Sequence, residues 1–261
     1  MLKELSKAKA FIIDMDGVLW HGDTPVAGLI QFFDTLRMKE IHFVLATNNA
    51  SKTPEQFKHK LAGMGVAVRA EEVLTSAVAA AIYLSEIKPK ARVYIIGEDG
   101  LREAMQDVGF TVATTDVDFV VCGMDRGLSW EKLAQATLNI RAGAKLVGTN
   151  GDATFPTERG LVHGNGAVVA ALETSTSTRA LIIGKPEPTM YQQAMKRLNV
   201  SPDETLAIGD RLETDILGAK RANIASAFFL SGVSTREELE ICDYKPEWVF
   251  DDLRAFTKAI Q

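Results

Sequence analysis

Short apolar runs that break off at a polar residue recur along the whole chain, and they restrict the fold more than any other feature. The runs are Ala10–Ile13, His42–Ala46, Val93–Ile96, Phe119–Cys122, Lys145–Gly148, Ala180–Ile183, Thr205–Ile208, Ala225–Leu230 and Trp248–Phe250. They are rich in Val, Ile and Phe, as strands covered by helices on both faces must be. Longer amphipathic stretches separate them. Thr53-Pro54-Glu55-Gln56 has the pattern of a helix start, with Thr as cap and Pro in the first turn. Ser201-Pro202-Asp203-Glu204 repeats it just ahead of a strand, where there is room only for a short turn. Met190, Ala194, Met195 and Leu198 share one helical face. A strand–helix alternation of this kind predicts an α/β fold with a doubly wound parallel sheet.

Composition narrows the class. The chain has 261 residues, is 46% hydrophobic and carries a formal net charge of −5. That is enough apolar side chain for a core without disulfides or structural metal. Charges of both signs are interspersed, so the clustered basic face of a nucleic-acid partner is not expected. No stretch reaches the roughly 20 apolar residues of a membrane span. The N-terminal residues are charged where a signal peptide is apolar. Cys122 and Cys242 stand apart, with no Cys/His cluster around them, as expected of reduced structural thiols. A cytoplasmic protein without nucleic-acid or membrane partners is expected. No internal repeat is evident. The polar stretch Glu173–Arg179 reads equally as a loop between lobes or as a solvated turn.

In doubly wound sheets, ligands collect beyond the carboxyl ends of the strands, so the residues just after each run carry the functional reading. Asp14-Met15-Asp16-Gly17 follows the first run. Its paired carboxylates can bind a hard cation or divide nucleophile and acid/base roles, though Asp and Gly also make plain turns. Thr47-Asn48-Asn49-Ala50-Ser51 follows the second and can grip a phosphoryl oxygen or merely cap a helix. Gly184-Lys185-Pro186 places a lysine at a strand end, where it neutralises a phosphate or faces solvent. Gly209-Asp210 brings another carboxylate, with Asp215 a helical turn on. Each has an ordinary structural explanation alone. A doubly wound sheet brings all of them to one edge.

Asp14/Asp16, Thr47, Lys185 and Asp210/Asp215, in that order, resemble the haloacid dehalogenase superfamily of phosphatases. Thr-Asn-Asn-Ala-Ser, Gly-Thr-Asn-Gly-Asp, Gly-Lys-Pro and Leu-Ser-Gly-Val resemble its NagD-like branch, whose members were often named 4-nitrophenyl phosphatases. The resemblance implies a Rossmann-like core, residues 1–78 and 182–261, with an inserted α/β cap, residues 79–181. It implies Asp14 as nucleophile and Asp16 as general acid and base. It further implies phosphate binding by Thr47, Asn48, Asn49 and Lys185. Mg²⁺ would be held by Asp14, the Asp16 carbonyl and Asp210, with Asp215 orienting the metal site or Lys185. Expelling a halide needs no protonated leaving oxygen, so an aspartate two residues after the nucleophile favours phosphoryl transfer over dehalogenation.

The implied substrate is a small phosphorylated metabolite, and caps of this type often associate, so a homodimer is an expectation. Arg126 is a candidate for an acidic leaving group or an exposed surface arginine. Asn150 and Asp152 are candidates for orienting a substrate hydroxyl, holding a closed cap or shaping a turn. The alternatives are a phosphomutase or phosphotransferase with the same aspartyl-phosphate, and a non-catalytic protein that binds phosphometabolites.

Overall fold

The structure, a computed structural model, describes residues 4–157 and 159–261. Part of the N-terminal segment read above as lacking a signal sequence, Met1–Lys3, lies outside them. Close contacts divide the chain into two compact units. One comprises the chain up to Thr47, Glu55–Leu74 and Lys185–Gln261; the other comprises Asn48–Pro54 and Thr75–Gly184.

The first unit holds a sheet in the order Trp248–Phe250, Ala225–Phe229, Thr205–Gly209, Ala10–Ile13, His42–Thr47, Val73–Thr75. Ala10–Ile13 pairs in parallel with Thr205–Gly209 on one side and with His42–Thr47 on the other. The order therefore reverses around the first strand of the chain, which is where such sheets open a crevice. All four residues of that strand are buried, because helices cover both faces. On one face Phe32, Phe33 and Leu36 of helix Leu29–Met38 and Phe256 of helix Leu253–Ile260 pack on Phe11, Leu206 and Phe229. Phe256 lies against Phe11, Phe32, Phe229 and Phe250, with ring centroids 5.1–6.0 Å apart. On the other face Phe228, next to Phe229 and so pointing the opposite way, meets Leu212, Ile216 and Leu239.

The second unit has a parallel sheet in the order Leu181–Ile182, Lys145–Gly148, Phe119–Cys122, Arg92–Ile96, Thr111–Val112. Val120, Cys122 and Leu146 form its core with Ala136, Ile140, Val168, Val169 and Leu172 of two helices. Both sheets are parallel and helix-covered, the α/β architecture expected from the alternation of runs.

Local differences have local causes. The run Ala180–Ile183 forms a ladder only at Leu181–Ile182, on the edge of its sheet. Ser201–Glu204 makes a single 3₁₀ turn with a capping box, because Thr205 is already in the strand. Glu173–Thr176 is neither linker nor turn but the last turn of helix Asn165–Thr176, and Ser177 ends it in the left-handed conformation at φ 57°. The antiparallel pair Thr154–Thr157 and Gly160–His163 has no apolar run to announce it. Among the described residues, no helix is long and apolar enough to cross a membrane.

Candidate active site

Register decides which side chains meet in the first unit. Ile13 lies opposite Ile208 on one side and Leu45 on the other. Asp14 is therefore level with Gly209 and Ala46, and Asp210 and Thr47 follow one residue later on the flanking strands. Lys185 reaches the same edge, donating to the Ala46 carbonyl at 3.2 Å. Its Nζ also donates to Asp14 Oδ1 and, at 2.6 Å, to Asp215 Oδ1. Asp14, Asp210 and Asp215 each offer an oxygen within 4.8 Å of the others. The sequence-predicted Asp14, Thr47, Lys185, Asp210 and Asp215 thus belong to one strand edge of one unit.

The charge balance is uneven. Lys185 is 3% exposed, Asp210 0% and Asp215 2%. Burial drives the Asp14 carboxyl well above the usual carboxylate range; Lys185 opposes the rise, and Asp215 and Asp210 add to it. Burial and Asp215 push Asp210 up to about 7, against the N–H of Val233. For Lys185, burial alone favours loss of the proton, but Asp14 and Asp215 outweigh it and carry its pKa well above normal. Asp14 and Asp215 share the one Lys185 ammonium, and Asp210 is a third carboxyl group beside them. Asp210 Oδ1 is buried without a hydrogen-bond partner among the described residues, which costs free energy unless something electropositive faces it. An all-oxygen donor set with an unsatisfied carboxylate oxygen fits a hard divalent cation.

Backbone packing shapes this edge closely. Gly17 has φ 90°, and a Cβ on it would stand 2.1 Å from Asp210 Oδ2. A Cβ on Gly232 would stand equally close to the same oxygen. The Asp210 carboxylate is thus enclosed by two glycine backbones, and its Oδ2 accepts from Val233 N–H at 2.7 Å. Asp215 is fixed at both oxygens, because Arg211 N–H donates to Oδ2 at 3.1 Å. The Tyr191 hydroxyl donates to the Asp215 carbonyl at 2.9 Å. Asp16 is exposed, and Trp20, fully buried, donates its indole N–H to Asp16 Oδ1 at 2.7 Å. The turn between them closes through Gly17 N–H to the Trp20 carbonyl at 2.8 Å.

The remaining predicted residues belong to the second unit. Asn48 Nδ2 donates to Asp152 Oδ1 at 3.2 Å, and Asn150 Nδ2 donates to the Asn48 carbonyl at 2.8 Å. Asn49 Oδ1 accepts from the N–H and hydroxyl of Ser51, both at 2.9 Å. Arg126 pairs with Glu98 at 2.6 Å, its side chain 63% exposed. Sequence reasoning gave no role to Trp20, Tyr191, Val233 or Ser76. Trp20 could have been found from its four-residue spacing to Asp16 across a glycine turn. Val233 acts through its main chain, which leaves no mark in a sequence.

Known proteins resemble this chain in sequence and in fold. Residues 11–111 match the haloacid dehalogenase-like hydrolase family, and residues 182–256 match a second HAD-hydrolase-like family. An acid sugar phosphatase of Staphylococcus aureus is 39% identical over 250 residues, covering 95% of this chain and 96% of that protein. The crystal structure of a 4-nitrophenylphosphatase from Thermotoga maritima superposes with a TM-score of 0.95 at 34% identity, covering 98% and 99% of the two chains. A glycerol phosphate phosphatase from Mycobacterium tuberculosis, solved in complex with magnesium, has a TM-score of 0.90 at 35% identity, covering 99% of this chain and 80% of that one. With relatives this similar along nearly its whole length, the chain belongs to the haloacid dehalogenase-like hydrolases, among their phosphatases.

Proposed function

We propose that the protein hydrolyses small phosphate monoesters, of the sugar or polyol phosphate kind, through a phosphoryl group carried transiently on Asp14. The observation that carries this reading is the Asp14 carboxylate held against buried Lys185, beside Asp210 with its unpartnered oxygen. A nucleophilic carboxylate can approach a phosphate dianion only where positive charge compensates both. The names of the relatives support sugar and glycerol phosphates as the substrate class.

In this reading Asp14, the Asp16 carbonyl and Asp210 would hold Mg²⁺, which would supply positive charge to offset that of the phosphoryl group. Lys185 and Thr47, with N–H groups near Asn48 and Asn49, bind the phosphoryl group. Asp14 attacks phosphorus in line, and the ester P–O bond breaks as the Asp14 O–P bond forms. Asp16, oriented by the Trp20 indole, gives its proton to the departing alkoxide. Asp16 then takes a proton from water, whose oxygen attacks phosphorus, freeing phosphate and restoring the Asp14 carboxylate. Asp215 keeps Lys185 charged and in place. Within the second unit, Arg126 and Asp152 tune substrate choice. The protein works in the cytoplasm, and a homodimer is the proposed assembly.

The test is Asp14→Asn, assayed with 4-nitrophenyl phosphate and glycerol phosphate in Mg²⁺. Turnover of both should fall by about 10⁴ or more, with an unchanged circular dichroism spectrum. Retained turnover in a folded variant would refute Asp14 as nucleophile.

A further inference from the structure

The chain passes between the units at Thr47/Asn48, Leu74/Thr75 and Gly184/Lys185, as well as at Pro54/Glu55. The second-unit residues at the first three of these passages are tied to one another. The Asn48 carbonyl accepts from Ser76 Oγ at 2.7 Å and from Asn150 Nδ2 at 2.8 Å. Asn48 Nδ2 donates to Asp152. Gly184 N–H donates to the Thr149 carbonyl at 2.9 Å. A Cβ on Gly184 would stand 2.5 Å from Asn48 Oδ1 and 2.6 Å from the Thr149 carbonyl oxygen, so Gly184 fits there only because it has no side chain. Asn165, 2% exposed, donates to the Asn150 carbonyl at 2.7 Å and to the Cys122 carbonyl at 3.1 Å. That anchors the knot to the end of a central strand.

We propose that Ser76 and Asn150 are positioning residues for phosphoryl binding. By clamping Asn48 and, through its packing, Gly184, they fix where the chain delivers Thr47 and Lys185, each one bond away. The inference rests on the phosphoryl-binding roles proposed above for Thr47 and Lys185. Asn150 then acts through the Asn48 main chain and touches no part of the substrate. A carbonyl with two side-chain donors and a glycine that admits no Cβ form a tight junction. Misplacing a binding group by about 1 Å can cost on the order of 100-fold in rate.

The experiment compares wild type, Ser76→Ala, Asn150→Ala and the double variant. It measures KM and kcat for 4-nitrophenyl phosphate and glycerol phosphate, competitive inhibition by inorganic phosphate, and amide hydrogen exchange. The expected result for the double variant is about a 10-fold rise in the phosphate inhibition constant. KM should rise by a similar factor for both esters, since they share the phosphoryl group. Exchange should accelerate together at residues 48–50 and at 184–185. Ser76→Ala alone should move each quantity the same way by less, which keeps the test open if the double variant does not fold. A loss confined to one ester would show that Asn150 meets the leaving group and would overturn the proposal. Faster exchange with unchanged phosphate inhibition would overturn it too. If wild type neither hydrolyses the esters nor is inhibited by phosphate, the underlying phosphatase reading fails first and takes this inference with it.

Discussion

Lys185 Nζ lies 2.6 Å from Asp215 Oδ1, with 4% and 3% of their side chains exposed. A buried pair of this kind contributes little against an apolar replacement of both partners, but losing one partner strands the other. Asp215→Asn should therefore destabilise the protein by about 3 kcal/mol. It should also lower kcat, because Lys185 would lean further toward Asp14. A urea titration together with steady-state kinetics checks both. A variant as stable and as fast as wild type would mean that the pair neither supports the fold nor orients the lysine.

Gly232 has no positive φ, so alanine is acceptable to its backbone, and the effect of Gly232→Ala should come from the Asp210 side chain, whose Oδ2, Cβ and Cγ would stand 2.1–2.4 Å from the new Cβ. Displacing that carboxylate should raise the Mg²⁺ concentration for half-maximal activity by about 10-fold or more. Added Mg²⁺ should likewise raise the melting temperature of the variant less than that of wild type. An unaltered response to Mg²⁺ in both measurements would remove Asp210 from the cation site.

Trp20→Phe keeps an aromatic ring against Phe57, 6.4 Å away between centroids, and deletes the N–H that Asp16 accepts. A typical hydrogen bond is worth about 0.5–1.5 kcal/mol. If the bond matters mainly for orienting Asp16, kcat should fall about 10-fold while KM stays within a factor of about two. An increase in KM alone would point to substrate binding instead.

Away from the site, Glu204 accepts from Lys9 at 2.6 Å and from the hydroxyl and N–H of Ser201 at 2.7 and 3.1 Å. The Lys9 hydrogen bond first, then those from Ser201, hold its carboxyl down to about 2. The unfolded chain titrates near 4.3, so the folded state binds this proton less readily. The resulting stability is present above about pH 4.3 and is lost as pH falls toward 2. Glu204→Gln should accordingly melt below wild type at about pH 7 and nearly with it at about pH 2.5. A difference independent of pH would contradict the assignment.

What the sequence disclosed follows from what each contact is made of. Asp14, Thr47 and Asp210 could be placed because each follows an apolar run, directly or after one glycine, and a parallel sheet aligns such positions at one edge. Lys185 was legible for the same reason, although its own ladder is only two residues long. Strands as short as Val73–Thr75 and Thr111–Val112 carry too few residues for a pattern. The enclosure of Asp210 by Gly17, Gly232 and Val233 involves main-chain atoms and missing side chains, neither of which a residue type records. Asn48 and Asn150 are 102 positions apart, and both have amide side chains common in turns. Their junction exists only once the second unit has closed around it.

The short stretch Asn48–Pro54 belongs with Thr75–Gly184 although more than one hundred residues of that unit come after it. Compact units of a chain are often pictured as cassettes traded between relatives in a single recombination event. Here a crossover that exchanged only the long segment would pair a foreign Asn150 with a resident Asn48. A productive swap, in evolution or in the laboratory, has to move both pieces at once.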